Sequence, residues 1–362
     1  MRRLADYDYN LPRELIADTP ATKRDSSQLF IYDTNTGRIT FDIFHNIGNY
    51  LPKPSLLVFN NTKVVPARLW LKKEDFPMRG QRKVGGGKIE VLLMVNEYKE
   101  GDELIKGIVD RNILPGARLF FHSGAYLEVI KQEEQFFFFR SSLSKGCLWN
   151  LLEKEGITPI PPYIKNTPLS EEILREKYQS VLAKYPASVA APTASLHFTK
   201  KLLGSLAKER VERTEVTLHV GAGTFAPITE ENFKQKKLFT EHINITNKSA
   251  DTINNATHAG IPIIPVGTTA MRTIESAATK KESAFEVEAC AKPTNIFIYP
   301  PYKFKIADGL ITNFHVPRSS LMLLVDALLK HKNAPHDILA LYDIAIKEKF
   351  RFYSFGDSML IL

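Results

Sequence analysis

The chain has 362 residues, 44% of them hydrophobic, so it can bury a sizeable core, and its length favours about two domains. No run is long and apolar enough to cross a bilayer, and the N-terminus carries charges and Pro12 where a signal peptide needs an apolar region. Cys147 and Cys290 form no CxxC pair, which argues against a disulfide framework or a cysteine zinc site. We therefore expect a soluble, cytoplasmic protein.

The first part of the chain predicts β-structure. Residues 28–47 alternate between apolar and polar around Asn35–Thr36–Gly37, which is typical of a hairpin. Between residues 88 and 140, short β-like runs are separated by glycine turns and helical patterns are nearly absent, which predicts a small barrel. The predicted fold is an α/β (α+β) main domain, residues 1–69 and 151–362, with an all-β barrel domain inserted at residues 70–150.

A basic segment, residues 72–88, accounts for much of the net charge of +8. It carries six basic residues against two acidic ones and is rich in glycine. It is either a solvated loop or a mobile arm that binds a phosphate backbone. The basic residues are Lys72, Lys73, Arg79, Arg82, Lys83 and Lys88.

Two strand–loop–helix units in the C-terminal half place polar groups at strand ends. In "IPIIPVGTTAMRTIES" (261–276) an apolar run stops at Gly267, and the following helix carries Thr268, Thr269, Arg272 and Glu275. In "GLITNFHVPRSSLMLLVDALL" (309–329) the strand ends at Asn313 and His315. Because open α/β sheets bind ligands at this edge and helix starts bind anions, we predict a site there for a charged, polar substrate.

Histidines near strand ends are further candidates. His219 ends the strand in "TEVTLHVGAGTF" (214–225), just before Gly221 and Gly223, and is either a solvated strand residue or a site residue. His197 follows a turn, at the start of a helix predicted over 195–209, and is either a hydrogen-bonded core residue or a functional one. The three site histidines, His197, His219 and His315, could bind a metal if they met, but their spacing does not show that they do.

Two other candidates have simple structural interpretations. Arg272 and Glu275 are three apart and could form an ordinary ion pair on a helix surface. Asp357 follows Gly356 at a turn before an apolar terminal strand, and its carboxylate could stabilise that turn or belong to the site.

Motifs spread over nearly the whole chain resemble those of the S-adenosylmethionine:tRNA ribosyltransferase-isomerase family of queuosine biosynthesis. None is decisive alone, but their number, order and spacing are characteristic. They are "VFNNTKVVPARL" (58–69), "GGKIEVLL" (86–93), "PIPPYI" (159–164), "VAAPTASLHFT" (189–199), "VTLHVGAGTF" (216–225), "VGTTAMRTIESAA" (266–278), "NIFIYPPYKFK" (295–305), "LITNFHVPRSSLMLLV" (310–325) and "RFYSFGDSMLI" (351–361).

The resemblance implies an enzyme that transfers the ribosyl part of S-adenosylmethionine to the aminomethyl group of a 7-deazaguanine base in tRNA. The ribose becomes an epoxycyclopentane, adenine and methionine leave, and the product is epoxyqueuosine-tRNA. S-adenosylmethionine is a substrate, no metal or other cofactor is implied, and we expect a monomer whose partners are that substrate and the precursor tRNA.

Roles can be assigned as hypotheses within the matching motifs. The catalytic candidates are His197, His219, Arg272, Glu275 and Asp357, with proton transfer assigned to His197 or His219. The basic residues between Lys72 and Lys88 would bind the tRNA. Substrate contacts are expected from Asn60, Arg68, Thr193, Gly221, Gly223, Thr268, Thr269, Asn313, His315 and Arg351.

Several positions depart from the family's usual pattern. Asn61 stands where the family usually has Asp, Lys63 where it has Arg, and Ser195 where it has Gly. Asn295 replaces the Asp of a W-T-D sequence, and two usual histidines are missing at Lys236 and Phe239. These departures leave open a catalytically degenerate paralogue that binds tRNA or another RNA, and a metal-dependent hydrolase is a third possibility.

Overall fold

The computed structural model describes residues 3–74, 87–99, 101–164, 167–221, 228–282 and 284–362. Strands and helices are numbered in chain order. The strands are β1 Gln28–Tyr32, β2 Ile39–Ile43, β3 Ser55–Asn60, β4 Thr62–Val64, β5 Arg68–Lys73, β6 Lys88–Leu93, β7 Ile105–Val109, β8 Arg118–Phe120, β9 Tyr126–Glu133, β10 Phe136–Ser141, β11 Tyr185–Ser188, β12 Val211–His219, β13 Lys237–Ile245, β14 Ile263–Val266, β15 Ala278–Lys280, β16 Phe285–Val287, β17 Cys290–Ile296, β18 Leu310–Asn313 and β19 Ser358–Ile361. The α-helices are α1 Lys145–Glu155, α2 Glu171–Lys177, α3 Lys200–Lys208, α4 Glu230–Gln235, α5 Asn247–His258, α6 Thr268–Ala277, α7 Ser320–His331 and α8 Ile338–Lys347.

A nine-stranded sheet forms the centre of the molecule, in the order β17-β13-β12-β3-β14-β18-β19-β1-β2. The four neighbours β12, β3, β14 and β18 run parallel. Their carboxyl ends therefore meet at one edge of the sheet, where ligands bind in open α/β sheets. The predicted hairpin is present, because β1 and β2 pair antiparallel.

Both faces of this sheet are buried. Leu56 and Val58 of β3 pack into a core that includes side chains of α5 to α8, whereas Leu57 and Phe59 pack into a second core with α3. Alternate residues of one strand thus enter opposite cores, as expected for a sheet covered on both sides. The α/β class predicted for the main domain is confirmed.

The predicted barrel is also confirmed. It is closed, in the order β10-β7-β6-β5-β8-β9. Leu148 and Leu152 of α1 join its interior side chains. The chain enters at Arg68 and returns at Ile157, and these two residues form an antiparallel bridge. The division into domains at residues 70 and 150 remains our proposal.

The helix predicted over residues 195–209 begins later than expected. The hydroxyl of Thr199 accepts the N–H of Leu202 and caps α3, which starts at Lys200. The preceding residues Thr193–His197 form a separate 3-10 helix. His197 is therefore fixed in a short turn and buried.

Within the described residues, no helix is long and apolar enough to span a membrane.

Candidate functional site

A cavity of about 820 Å³, called here the first cavity, opens at the carboxyl ends of β14 and β18. Its walls come from the 3-10 helix, the start of α6, the residues after β18 and the segment before β19. The predicted site residues that line it are Thr193, Thr268, Thr269, Arg272, Asn313 and His315.

The start of α6 forms one wall. Gly267 has a φ of 91°, which residues with a side chain rarely adopt, and its N–H donates to the carbonyl of Ile311 at 2.7 Å. The chain thus turns directly from strand to helix beside the cavity. Asn60 supports this turn, because its Nδ2 donates to the hydroxyl of Thr269 at 3.1 Å. The first N–H groups of the helix are suited to an anion.

Arg272 forms a buried ion pair with Glu241 of β13, not with Glu275 as a surface pair would require. The two side chains are 7% and 4% exposed. The second oxygen of Glu241 accepts the N–H of Gly221 at 3.3 Å. Nε and Nη2 of Arg272 have no hydrogen-bond partner among the described residues. An arginine at a cavity wall with two free donors is suited to a carboxylate or another anion.

Glu275 is occupied on the other side of α6. Its carboxylate accepts backbone N–H groups from Lys305, Ile306 and Ala307 at 3.0 to 3.2 Å. It also accepts the hydroxyl of Tyr302 at 3.0 Å. Burial and the neighbouring Glu275 raise the pKa of that tyrosine. Glu275 therefore holds residues 302–307 against α6 and does not contact Arg272 in an ion pair.

The three site histidines lie in different surroundings. His315 lines the first cavity, and its Nε2 lies 2.8 Å from the hydroxyl of Thr312. His197 is buried, with Nδ1 2.8 Å from the hydroxyl of Ser27 and Nε2 3.2 Å from Nδ2 of Asn313. Burial lowers the pKa of both histidines to about 3. Both are therefore neutral at physiological pH.

His219 faces a second cavity, which has about 1100 Å³ of empty space and polar walls. Its Nδ1 lies 2.7 Å from the hydroxyl of Thr62, and burial lowers its pKa to about 4. Asn61 lies in the same wall, donates to Glu215 at 3.1 Å and accepts from Thr217 at 2.7 Å. An aspartate at position 61, usual in the family, would instead bring two carboxylates together.

Asp357 organises the turn before β19. Its carboxylate accepts the N–H groups of Gln28 and Arg351 at 3.0 and 2.7 Å and pairs with the Arg351 guanidinium at 3.2 Å. Arg351 also donates to the carbonyl of Thr19. These contacts hold β19, the strand that adjoins Asn313. Asp357 and Arg351 therefore act on the cavity wall through the backbone.

The remaining predicted contacts are more peripheral. Arg68 donates to the carbonyl of Ile160 at 2.9 Å and pairs with Glu90 of the barrel at 3.2 Å. Gly221 follows β12 and is held by Glu241. Gly223 lies outside the described residues. Across the described part of the chain, no group of three or more His, Cys, Asp or Glu side chains is placed to hold a metal ion.

Part of the predicted tRNA-binding segment lies on the barrel. Lys72 of β5 stands opposite Lys88 of β6, and both are exposed. Trp70, two residues before Lys72, is 43% exposed. Lys73 is half-buried. Arg79, Arg82 and Lys83 fall outside the described residues.

Sequence reasoning missed four features of the first cavity. Tyr163, Tyr178 and Tyr353 line it. Tyr163 and Tyr353 belong to motifs quoted above and Tyr178 to none of them, and their spacing gave no sign that the three meet. Glu241 is the fourth, because it holds Arg272 in the cavity wall and lies in none of the motifs quoted above.

Comparisons with known proteins place the chain in a family. A family model described as "Queuosine biosynthesis protein" matches residues 4–361. The S-adenosylmethionine:tRNA ribosyltransferase-isomerase of Carboxydothermus hydrogenoformans is 42% identical over 99% of this chain and 100% of its own length. The enzyme of the same name from Treponema denticola is 37% identical over 99% of both chains.

A solved structure agrees with this assignment. The crystal structure of S-adenosylmethionine tRNA ribosyltransferase from Thermotoga maritima is 30% identical, covers 99% of this chain and 100% of its own, and superposes with a TM-score of 0.53. The chain belongs to the queuosine biosynthesis family.

Proposed function

We propose that the protein transfers and isomerises the ribosyl part of S-adenosylmethionine onto the 7-aminomethyl-7-deazaguanine base of tRNA. The product is epoxyqueuosine-tRNA, and adenine and methionine are released. Full-length similarity to enzymes named for this reaction supports the proposal. The observation that carries it in this chain is the first cavity, where Arg272, Asn313 and His315 meet at the sheet edge.

The anionic end of the substrate would bind at Arg272. Its free Nε and Nη2 and the start of α6 both suit the methionine carboxylate. Glu241 holds the guanidinium in place, because its carboxylate accepts a hydrogen bond from Nη1 of Arg272. Asn313 would then contact the nucleoside from the opposite unit, because it is the last residue of β18.

Proton transfer is the second requirement. The sulfonium acidifies the ribose 5′ hydrogens, and a positioned base must remove one of them. Sequence reasoning assigned this role to His197 or His219, but the geometry favours His315. His315 lines the first cavity and is neutral at pH 7, whereas His219 faces the second cavity and both nitrogens of His197 are engaged.

The tRNA would bind across the barrel. Lys72 and Lys88 offer adjacent positive charges to the phosphate backbone. Exposed Trp70 on the same strand could stack on a base. We also propose that the protein acts in the cytoplasm, as a monomer and without a metal or further cofactor.

An adenine-release assay with S-adenosylmethionine and precursor tRNA tests this function. Adenine release is expected only with tRNA that carries the aminomethyl base. His315→Ala should lower turnover at least about 100-fold, the usual contribution of a proton-transfer group. His258→Ala is the matched control, since His258 is half-exposed and pairs with Glu286.

The outcomes separate the candidate functions. Tight tRNA binding without adenine release from the wild-type protein would support a degenerate RNA-binding paralogue instead. Full turnover in His315→Ala would remove the proton-transfer role and leave the reaction itself intact.

A further inference from the structure

The Asn313 amide has a defined orientation. Nδ2 lies 3.3 Å from the backbone carbonyl of Asp357, and a carbonyl can only accept. The atom at that position must therefore be the amide nitrogen. The amide oxygen is then fixed as Oδ1, which is buried and has no partner within the part of the chain that the structure describes. Asn313 is 2% exposed and lines the first cavity.

The same contact fixes the tautomer of His197. Nδ2 of Asn313 also faces Nε2 of His197 at 3.2 Å, so Nε2 must accept and carry no proton. The proton of the neutral ring is then on Nδ1, which donates to the hydroxyl of Ser27 at 2.8 Å. Phe44 packs against the ring with its centroid 5.0 Å away. His197 thus has one orientation and one tautomer.

An unpaired buried carbonyl oxygen is costly. Burying such an acceptor without a donor removes its bonds to water and replaces them with nothing, so each instance needs a structural explanation. Turning the amide over would bring its oxygen against the Asp357 carbonyl, which cannot donate, and would leave the amide nitrogen without a partner in place of the oxygen. A donor on a bound ligand would satisfy this oxygen.

We propose that His197 is a positioning residue that holds the Asn313 amide with its oxygen available to the first cavity, where this oxygen accepts a hydrogen bond from an N–H or O–H group of the sulfonium nucleoside. The inference rests on the proposed function for the identity of the ligand. It gives the cavity two complementary ends, a donor end at Arg272 and an acceptor end at Asn313. His197 acts through Asn313 and transfers no proton.

Binding of S-adenosylmethionine to the full chain, measured by calorimetry, tests the inference. Asn313→Ala should weaken binding about tenfold, the size of one buried hydrogen bond. His197→Asn should weaken it similarly, because its amide reaches only as far as Nδ1 and leaves Nδ2 of Asn313 with the long contact to the Asp357 carbonyl as its remaining acceptor among the described residues. His197→Gln restores an oxygen near the Nε2 position and should bind within about threefold of wild type. Asn254→Ala is the matched control, since Asn254 uses its amide on Val287, away from the cavity.

Turnover separates positioning from proton transfer. His197→Gln should retain kcat for adenine release within about tenfold, whereas loss of a proton-transfer group costs about 100-fold or more. A drop of that size in kcat with unchanged binding would overturn the positioning role. Unchanged binding by Asn313→Ala and His197→Asn would overturn the inference as well.

Analogues of S-adenosylmethionine identify the group that donates to Oδ1 of Asn313. Candidates are the adenine 6-amino group, the ribose hydroxyls and the methionine ammonium, each removed in one analogue. The true donor is the group whose removal weakens wild-type binding but has no further effect in Asn313→Ala. If no analogue couples to Asn313, the inference fails while the proposed function stands. If the wild-type protein binds no S-adenosylmethionine, the proposed function fails and the inference fails with it.

Discussion

Replacing Glu241 with Gln is expected to lower the free energy of unfolding by about 3 kcal/mol. The side chains of Glu241 and Arg272 are 4% and 7% exposed, so water screens the pair little. Removing one partner of a buried pair typically costs 3–5 kcal/mol, because the other charge is left without compensation. We expect the lower end, since Arg272 borders a cavity that water can enter.

The chain offers a matched control for this substitution. Lys53 and Glu209 form an ion pair at 2.5 Å with side chains 40% and 43% exposed. Exposed pairs contribute about 0–1 kcal/mol, so Glu209→Gln should change stability by less than about 1 kcal/mol. The same chemical change is thus made once in the interior and once at the surface.

Urea unfolding followed by far-UV circular dichroism measures both variants. Tryptophan fluorescence would follow the wrong part of the molecule, because Trp70 lies in β5 and Trp149 in α1, beside the barrel. The midpoint should shift for Glu241→Gln with an unchanged slope. A loss below about 1 kcal/mol, equal to that of Glu209→Gln, would show that the buried pair does not stabilise the fold.

Three further predictions follow from burial, charge and close packing. The pKa values of the three site histidines are lowered by burial, so the unfolded chain binds protons at these histidines before the folded chain does as the pH falls below 6.5. The free energy of unfolding should therefore fall from pH 6.5 down to about pH 3, with a slope that approaches about 1.4 kcal/mol per pH unit for each fully buried histidine. A flat profile between pH 6.5 and 4.5 in an acid titration of stability would contradict this prediction. The double substitution Lys72→Glu and Lys88→Glu should raise KM for tRNA and reduce the salt dependence of tRNA binding, without changing the affinity for S-adenosylmethionine. An unchanged salt dependence of tRNA binding would show that this surface does not bind the tRNA. Gly156→Ala should destabilise the protein by about 3 kcal/mol in thermal unfolding, because the added Cβ would lie 1.8 Å from a backbone oxygen. The control is Gly146→Ala in the same region, where an added Cβ meets nothing within 4 Å and should be harmless. Equal effects of the two substitutions would contradict the packing explanation.

Sequence patterns predicted the elements whose formation depends on neighbouring residues, namely two strand–loop–helix units and the barrel. Gly267 marked the end of a buried strand, and the apolar run before it indicated β14. The strand–loop–helix unit at Asn313 was found in the same way. Closely spaced short strands with glycine turns predicted the barrel, because neighbouring strands pair through short turns.

Contacts between distant segments could not be predicted. Glu241 meets Arg272 because β13 and α6 are brought together by the sheet, and no periodicity links the two positions. The same holds for His197 and Asn313. Arg272 and Glu275 share one helix, yet their side chains serve different partners, and helical spacing alone cannot reveal this.

The pairing of β1 with β19 has a consequence for how the chain folds. Leu29 is in register with Ser358, and β18 lies on the other side of β19, so the centre of the sheet joins segments from opposite ends of the sequence. The barrel, in contrast, is built from one continuous stretch of antiparallel strands. Structures with high contact order form slowly, because long loops must close before their contacts are gained. We expect the barrel to assemble first and the ligand-binding edge to be completed last, which makes the half-folded main sheet the species most exposed to aggregation.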